Sequence, residues 1–300
     1  PPNKTKGFFM TYQSDLRPNL FKNRNIIVTG AGSGFGRCNA HELASLGANV
    51  LMVGRKLDKL ESVRNEINDD GGQCDLATCD IRDEEAVKQV VAGFIDKHGE
   101  IYGLVNNAGG QFPAPLADIS KNGWNAVVNT NLTGGFLMAR EVFNQSMSKH
   151  GGSIVNIVAD MWRGMPGMGH SGAARAGMVN FTQTASYEWG HAGVRVNAVA
   201  PGWIASSGMD TYNDAYKVIL KTLKNYVPLG RLGNESEISA AISFLLSDSA
   251  RYISGTVINV DGASSQGNTA VYPLPTAKNL SPFDGFHRAV TPELFKDENQ

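Results

Sequence analysis

Two stretches of this chain carry residue types that can do chemistry. The first, Thr29-Gly30-Ala31-Gly32-Ser33-Gly34-Phe35-Gly36-Arg37, follows a β-branched run and precedes a helical pattern. Glycines there allow a tight turn, and backbone N–H groups at a helix N-terminus, where the macrodipole favours negative charge, can face a pyrophosphate. A bare glycine cluster would be only a strand-to-helix turn; the complete strand–turn–helix context makes it a dinucleotide cradle, with Gly30, Ser33, Gly34, Phe35 and Gly36 as its expected contacts. The second stretch, His170-Ser171-Gly172-Ala173-Ala174-Arg175, joins a titratable imidazole, a hydroxyl and a permanent cation, with Asp160 upstream of it.

The end of the second β-branched run reads Val53-Gly54-Arg55, where a site selective for NAD places an acidic residue on the ribose 2′-hydroxyl. Arg55 and Arg37 instead offer guanidinium groups to a 2′-phosphate, so NADP(H) is the expected cofactor; the plainer alternative is two solvated surface charges. Asp80-Ile81 closes the third run, where an adenine amino group would be met. Asn106-Asn107-Ala108-Gly109 closes the fourth, beside the cofactor path.

Positioning these residues requires a sheet. Asn25–Thr29, Asn49–Val53, Asp75–Cys79, Leu104–Asn106, Ser153–Val158, Arg195–Val199 and Thr256–Val260 read as strands, alternating with helical patterns at Leu57–Asn68, Glu84–His98 and Lys121–Ser148 and after Gly169 and Asn234. Continuously apolar strands such as Ile26-Ile27-Val28 imply helices on both faces of one parallel, seven-stranded sheet. No internal linker divides the chain, so residues 18–265 read as one domain, residues 1–17 as an N-terminal extension and residues 266–300, with Pro273, Pro275, Pro282 and Pro292, as an extended tail. Met10 is a candidate start, which would make residues 1–9 vector-derived.

Composition removes other classes. With 27 Lys+Arg against 28 Asp+Glu the formal charge is −1, and no basic block is present to bind nucleic acid. Hydrophobic residues at 42% suffice for a core, and no apolar run is long enough to cross a bilayer. Three cysteines, Cys38, Cys74 and Cys79, form no disulfide framework and no metal-ligand spacing, which favours a reducing, cytoplasmic setting and inert thiols. The 34 glycines exceed the usual share of about 7%.

The glycine pattern Thr29–Gly36, Asn106-Asn107-Ala108-Gly109, Asn131 in Asn129-Thr130-Asn131-Leu132, Pro201-Gly202 and the closing Gly255…Asp261-Gly262 resemble the short-chain dehydrogenase/reductase family over residues 22–263. That resemblance implies a single Rossmann-type, doubly wound α/β domain, a nicotinamide cofactor touched also by Pro201, Gly202 and Ile204, and a homo-tetramer or dimer built on two long helices. The family's catalytic set is Asn, Ser and Tyr-x-x-x-Lys. Here Ser171 and Arg175 stand in the Tyr and Lys places, Ile157-Val158-Ala159-Asp160 replaces the usual serine, and Asn131 alone remains. The wording of residues 170–177 is similar to the trans-2-enoyl-CoA and 2,4-dienoyl-CoA reductase branch. That of residues 160–167 is similar to bacterial enzymes of citronellol and citronellal oxidation.

Carbonyl reduction leaves an alkoxide that needs a proton, and neither serine nor arginine is a competent acid near neutral pH. Hydride addition to an enoyl thioester leaves an enolate instead, which needs only donors aimed at its oxygen and a weak proton source for its α-carbon. Arg175 retains the capacity to bond the nicotinamide ribose. His170 and Asp160 are the candidate replacement acids, each with a plainer reading: an exposed helix-start residue for His170, a cap or ion pair for Asp160. A small apolar substrate is expected against Gly110-Gln111-Phe112-Pro113, Met161–Met168 and Trp203–Tyr212; the plainer alternative for these residues is packing under a loop. The leading expectation is therefore an NADP(H)-dependent reductase of activated C=C bonds. A terpenoid alcohol or aldehyde dehydrogenase, or another C=O or C=N reductase, is the second; a cofactor-binding protein without turnover is the third.

Overall fold

β-Branched and apolar residues fill the strands that the sequence predicts. The computed structural model describes residues 11–212, 214–268, 271–277 and 280–299; the stretch 1–9 lies outside them. The strands are β1 (Asn25–Thr29), β2 (Asn49–Gly54), β3 (Cys74–Thr78), β4 (Gly103–Asn106), β5 (Gly152–Ile157), β6 (Val194–Pro201) and β7 (Val257–Val260). They form one parallel sheet in the order β3-β2-β1-β4-β5-β6-β7. The order reverses between β1 and β4, and at such a switch point the loops leaving adjacent strands diverge to opposite faces and open a crevice.

The helices are α1 (Gly34–Ser45), α2 (Leu57–Asp69), α3 (Glu84–His98), α4 (Lys121–Val128), α5 (Gly134–Val142), α6 (Ser148–His150), α7 (Gly169–Glu188), α8 (Asp214–Thr222) and α9 (Glu235–Leu246). Side-chain alternation along β1 divides the core. Ile26 and Val28 face a cluster with Leu43 of α1, Leu60 of α2 and Ile238 and Ile242 of α9, while Ile27 faces one with Val87 and Val91 of α3 and Met138 of α5. Local signals start the helices. The Asp83 side chain accepts from the Ala86 N–H ahead of α3, and Asn234 with Glu237 closes a capping box ahead of α9.

The continuous helix expected over Lys121–Ser148 is interrupted by π-helical turns at Asn129–Thr133 and Phe143–Met147. A π turn widens the helix by one residue, and the first one carries Asn131. Helical periodicity alone does not mark such an insertion.

The described part of the extended tail after residue 265 packs back onto the domain. Phe286 is fully buried with Tyr12 and Cys38, and its ring centroid lies 4.9 Å from that of His41 on α1. Arg288 pairs with Asp70 at 2.7 Å, and the main-chain oxygen of Arg288 accepts from Arg37 at 3.1 Å. The tail thus completes the outer surface of α1 and α2 in its own chain. Around it, Glu66 accepts from Arg37 at 2.8 Å and pairs with His41 at 3.1 Å. Burial alone would raise the Glu66 carboxyl, but these two partners outweigh it and hold the group down at about 2.

Replacing Phe286 with Ala should cost about 3–5 kcal/mol in urea unfolding, from lost burial plus the cavity left behind. Because Glu66 titrates lower folded than unfolded, its contribution is complete above its ordinary value of 4.5 and is lost as the pH falls through about 2. Glu66→Gln should therefore be less stable at neutral pH and lose less stability than the parent over that acid range, read from unfolding midpoints at each pH.

Candidate functional site

Thr29, at the end of β1, anchors the crevice. Its hydroxyl oxygen accepts from the N–H groups of Asn107 and Ala108, each at 3.0 Å, and the Asn107 amide donates to the Thr29 carbonyl at 2.9 Å. These bonds hold together the C-terminal ends of β1 and β4, so Asn107 acts through the framework as well as on the cleft wall.

A cleft of about 560 Å³ opens above this stitch. Its floor holds Gly30, Ser33, Gly34 and Phe35. Gly30 and Gly34 have φ of 67° and 55°, a left-handed backbone that favours glycine. A Cβ on Gly36 would lie 2.4 Å from the Gly30 carbonyl oxygen, so Gly36 lets the turn close and does not itself line the cleft. Ser33 at the start of α1 makes no side-chain cap, and the first turn holds no acidic residue. The free N–H groups of that turn suit an anion in both charge and direction.

Arg55 lies on the cleft wall, joined there by Lys56, Lys59 and Arg82, which the sequence reading did not single out. Arg37 is corrected: its guanidinium is tied to Glu66 and the Arg288 carbonyl, lies 4.9 Å from the Phe286 ring centroid, and is absent from the cleft wall. Spacing placed it beside the phosphate loop, but the tail draws it to the opposite side of α1. Asp80 and Ile81 line the same end of the cleft; hydrogen bonds from Arg82 hold the Asp80 carboxyl down at about 2. Cys79 lies beside them, its thiol pushed up by burial to about 11, which fits an inert group.

At the other end Ala108, Gly109, Pro201, Gly202 and Ile204 share the wall with Arg175. Arg175 is buried, donates to the Ile157 carbonyl at 2.5 Å, and keeps its Nε without a protein partner. Burial lowers it to about 10, so it remains a cation near neutral pH. A Cβ on Gly109 would lie 2.5 Å from its Nη2, so glycine there lets the guanidinium reach the wall. An orphaned buried donor beside a free helix N-terminus and a cationic rim fits a phosphorylated dinucleotide.

The proposed catalytic group is only partly assembled. Asn131 clamps Gly110 in both directions, accepting from its N–H and donating to its carbonyl at 2.9 Å each, and does not line the cleft. Ser171 is buried and donates to Gln111 Oε1 at 2.7 Å; Gln111 Nε2 donates onward to the Tyr212 hydroxyl at 3.1 Å. His170 is corrected both as a replacement acid and as an exposed residue. It is fully buried, its Nδ1 accepts the Ser171 N–H at 2.9 Å, and Phe112 packs edge-on at 4.4 Å. The ring is closed off from solvent and does not line the cleft. Asp160 is half-buried, its carboxyl raised by burial and by the Asp261 charge, and it is not on the cleft wall.

Of the expected substrate walls, Gly110 and Gln111 line the cleft with Trp203, Met209 and Tyr212, while Phe112 and residues 161–168 do not. Met165 instead packs beneath Gly172, and Met168 is buried. Gln111 was legible only as part of a loop. Its amide matters because two distant hydroxyls converge on it.

A family model described as enoyl-(acyl carrier protein) reductase matches residues 30–264. The chain is similar to a solved structure described as a citronellol catabolism dehydrogenase (AtuB) of Pseudomonas aeruginosa PAO1, at 62% identity and a TM-score of 0.77, over 85% of this chain and 100% of that one. It is 37% identical over 241 residues to a protein of Bacillus subtilis named "Probable 2,4-dienoyl-CoA reductase", covering 79% of this chain and 94% of the relative. It is 34% identical over 238 residues to the 3-oxoacyl-[acyl-carrier-protein] reductase FabG of Thermotoga maritima, covering 79% and 95%.

Arg55→Asp should weaken NADPH binding about tenfold or more and NADH binding little, measured by fluorescence titration, since one charge-assisted phosphate contact is worth roughly 1.4 kcal/mol or more. Equal losses for the two nucleotides would contradict the placement. Arg37→Leu should lower the unfolding midpoint and leave the NADPH-to-NADH preference as it was.

Proposed function

Because this chain belongs to the short-chain dehydrogenase/reductase family, we propose that it is an NADP(H)-dependent oxidoreductase reducing an activated C=C bond in a small apolar, enoyl-thioester-like substrate. The observation that carries the reading is the state of the Tyr and Lys places. Ser171 has its hydroxyl proton committed to Gln111, and Arg175 is a buried guanidinium bound to the Ile157 carbonyl. Neither residue can hand a proton to an alkoxide at neutral pH.

The nicotinamide supplies a hydride when bound. Arg55, Lys56 and Lys59 would neutralise a 2′-phosphate, and the uncapped N-terminus of α1 would meet a pyrophosphate. Arg175, with one Nη committed to the Ile157 carbonyl, would offer Nη2 to the ribose hydroxyls on the nicotinamide side. Asn131, through its two bonds to Gly110, holds the loop that presents Gln111. The enolate left by hydride addition to the β-carbon would be stabilised by donors on the cleft wall, and water would protonate its α-carbon to give the saturated product. Trp203 and Met209 provide the apolar wall.

A second reading, oxidation of a terpenoid alcohol or aldehyde, is favoured by the 62% identity to the protein described as a citronellol catabolism dehydrogenase. In either case the exposed Trp124, Phe136 and Tyr187 on α4, α5 and α7 suit a homo-oligomer. Among the described residues no helix is long and apolar enough to cross a membrane. A cytoplasmic setting accords with Cys38, Cys74 and Cys79 forming no disulfide among the described residues.

Absorbance of NADPH should fall with crotonyl-CoA at least about tenfold faster than with citral or a cyclic imine, a difference of roughly 1.4 kcal/mol in barrier. Faster NADP⁺ reduction by citronellol than any of these rates would establish the second reading. Tight NADPH binding without turnover of any of them would make the protein a cofactor-binding module.

A further inference from the structure

We propose that Tyr212, delivered by the segment after β6, donates the hydrogen bond that stabilises the substrate's carbonyl oxygen, in place of the tyrosine missing from α7. The claim rests on the reductase reading above. Its basis is the direction of two hydrogen bonds. Ser171 Oγ donates to Gln111 Oε1 at 2.7 Å, which orients the amide so that Nε2 donates to the Tyr212 hydroxyl at 3.1 Å. Ser171 therefore has no proton left for a substrate. Tyr212 has its oxygen engaged as an acceptor while its own O–H remains available to donate.

Tyr212 lines the same cleft as Gln111, Gly109 and Arg175. Its ring is steadied by Tyr216, with centroids 5.0 Å apart. The residues nominated by sequence do not take this place: His170 is sealed in the interior, Asn131 is bound twice to Gly110, and Asp160 is off the wall. An enolate oxygen is far less basic than an alkoxide, so a phenol can donate a hydrogen bond to it and keep its proton. That suits an enolate, whose proton must finally reach the α-carbon from water.

The test uses Tyr212→Phe, which keeps the ring against Tyr216 and removes only the hydroxyl. With crotonyl-CoA and NADPH, kcat should fall about 10²-fold, the usual loss for one oxyanion donor, while NADPH affinity by fluorescence titration stays at the parent value. A second readout does not depend on turnover: acetoacetyl-CoA added to the NADP⁺ complex should develop an enolate absorbance band in the parent protein and lose it in Tyr212→Phe. Ser171→Ala, which releases only the far end of the Gln111 amide, should reduce both readouts less. Parent-level kcat and band in Tyr212→Phe would overturn the proposal, as would a parent protein with neither turnover nor band. A parent band without turnover, abolished in Tyr212→Phe, would sustain Tyr212 as the donor and reject the reductase reading instead.

Discussion

The hydroxyl of Thr29 accepting from two successive N–H groups after β4 is the constraint on which the rest of the site depends. Parallel strands on either side of a switch point send their loops to opposite faces, and nothing in the ladder itself keeps the loop ends in register. Thr29 and Asn107 supply that register with three bonds of 2.9–3.0 Å. On one side of the stitch lies the glycine turn that opens the N-terminus of α1. On the other, Gly109 lets the Arg175 guanidinium approach the wall.

Charge is distributed unevenly around that framework. Burying an arginine costs free energy unless acceptors surround it, and Arg175 has one, the Ile157 carbonyl, with Nε left unpartnered. Such a deficit suits a residue whose remaining acceptors arrive with a ligand. At the other end of the cleft the cations Arg55, Lys56, Lys59 and Arg82 are exposed and cheaper to hold.

Chemistry at the centre is governed by the inventory of free donors. Ser171 and Asn131 are hydrogen-bonded within the protein, and both converge on the Gly110-Gln111 loop. These residues therefore shape the loop more directly than they face a substrate. Gln111 passes their order on to Tyr212, so the helix after β5 and the segment after β6 are coupled through a single amide.

Amino-acid order by itself determined the sheet, the glycine cradle and the position of Arg55, because strand periodicity, helix caps and a turn's need for positive φ are local requirements readable within a few residues. Strand ends moved by one or two residues, and the π turns around Asn131 went unseen, since hydrogen-bond energies at element ends and insertions are decided by neighbours. Only tertiary structure decided where side chains went. Arg37 sits in the cradle's own sequence, yet Glu66 and a tail more than two hundred residues away hold it elsewhere; His170 is titratable by type and sealed by Phe112 in place; Gln111 and Tyr212, unremarkable in their loops, meet beside Ser171. The physical reason is that backbone conformation answers to local sequence, whereas a side chain's partner is chosen by whatever distant segment the packed core brings within hydrogen-bond reach.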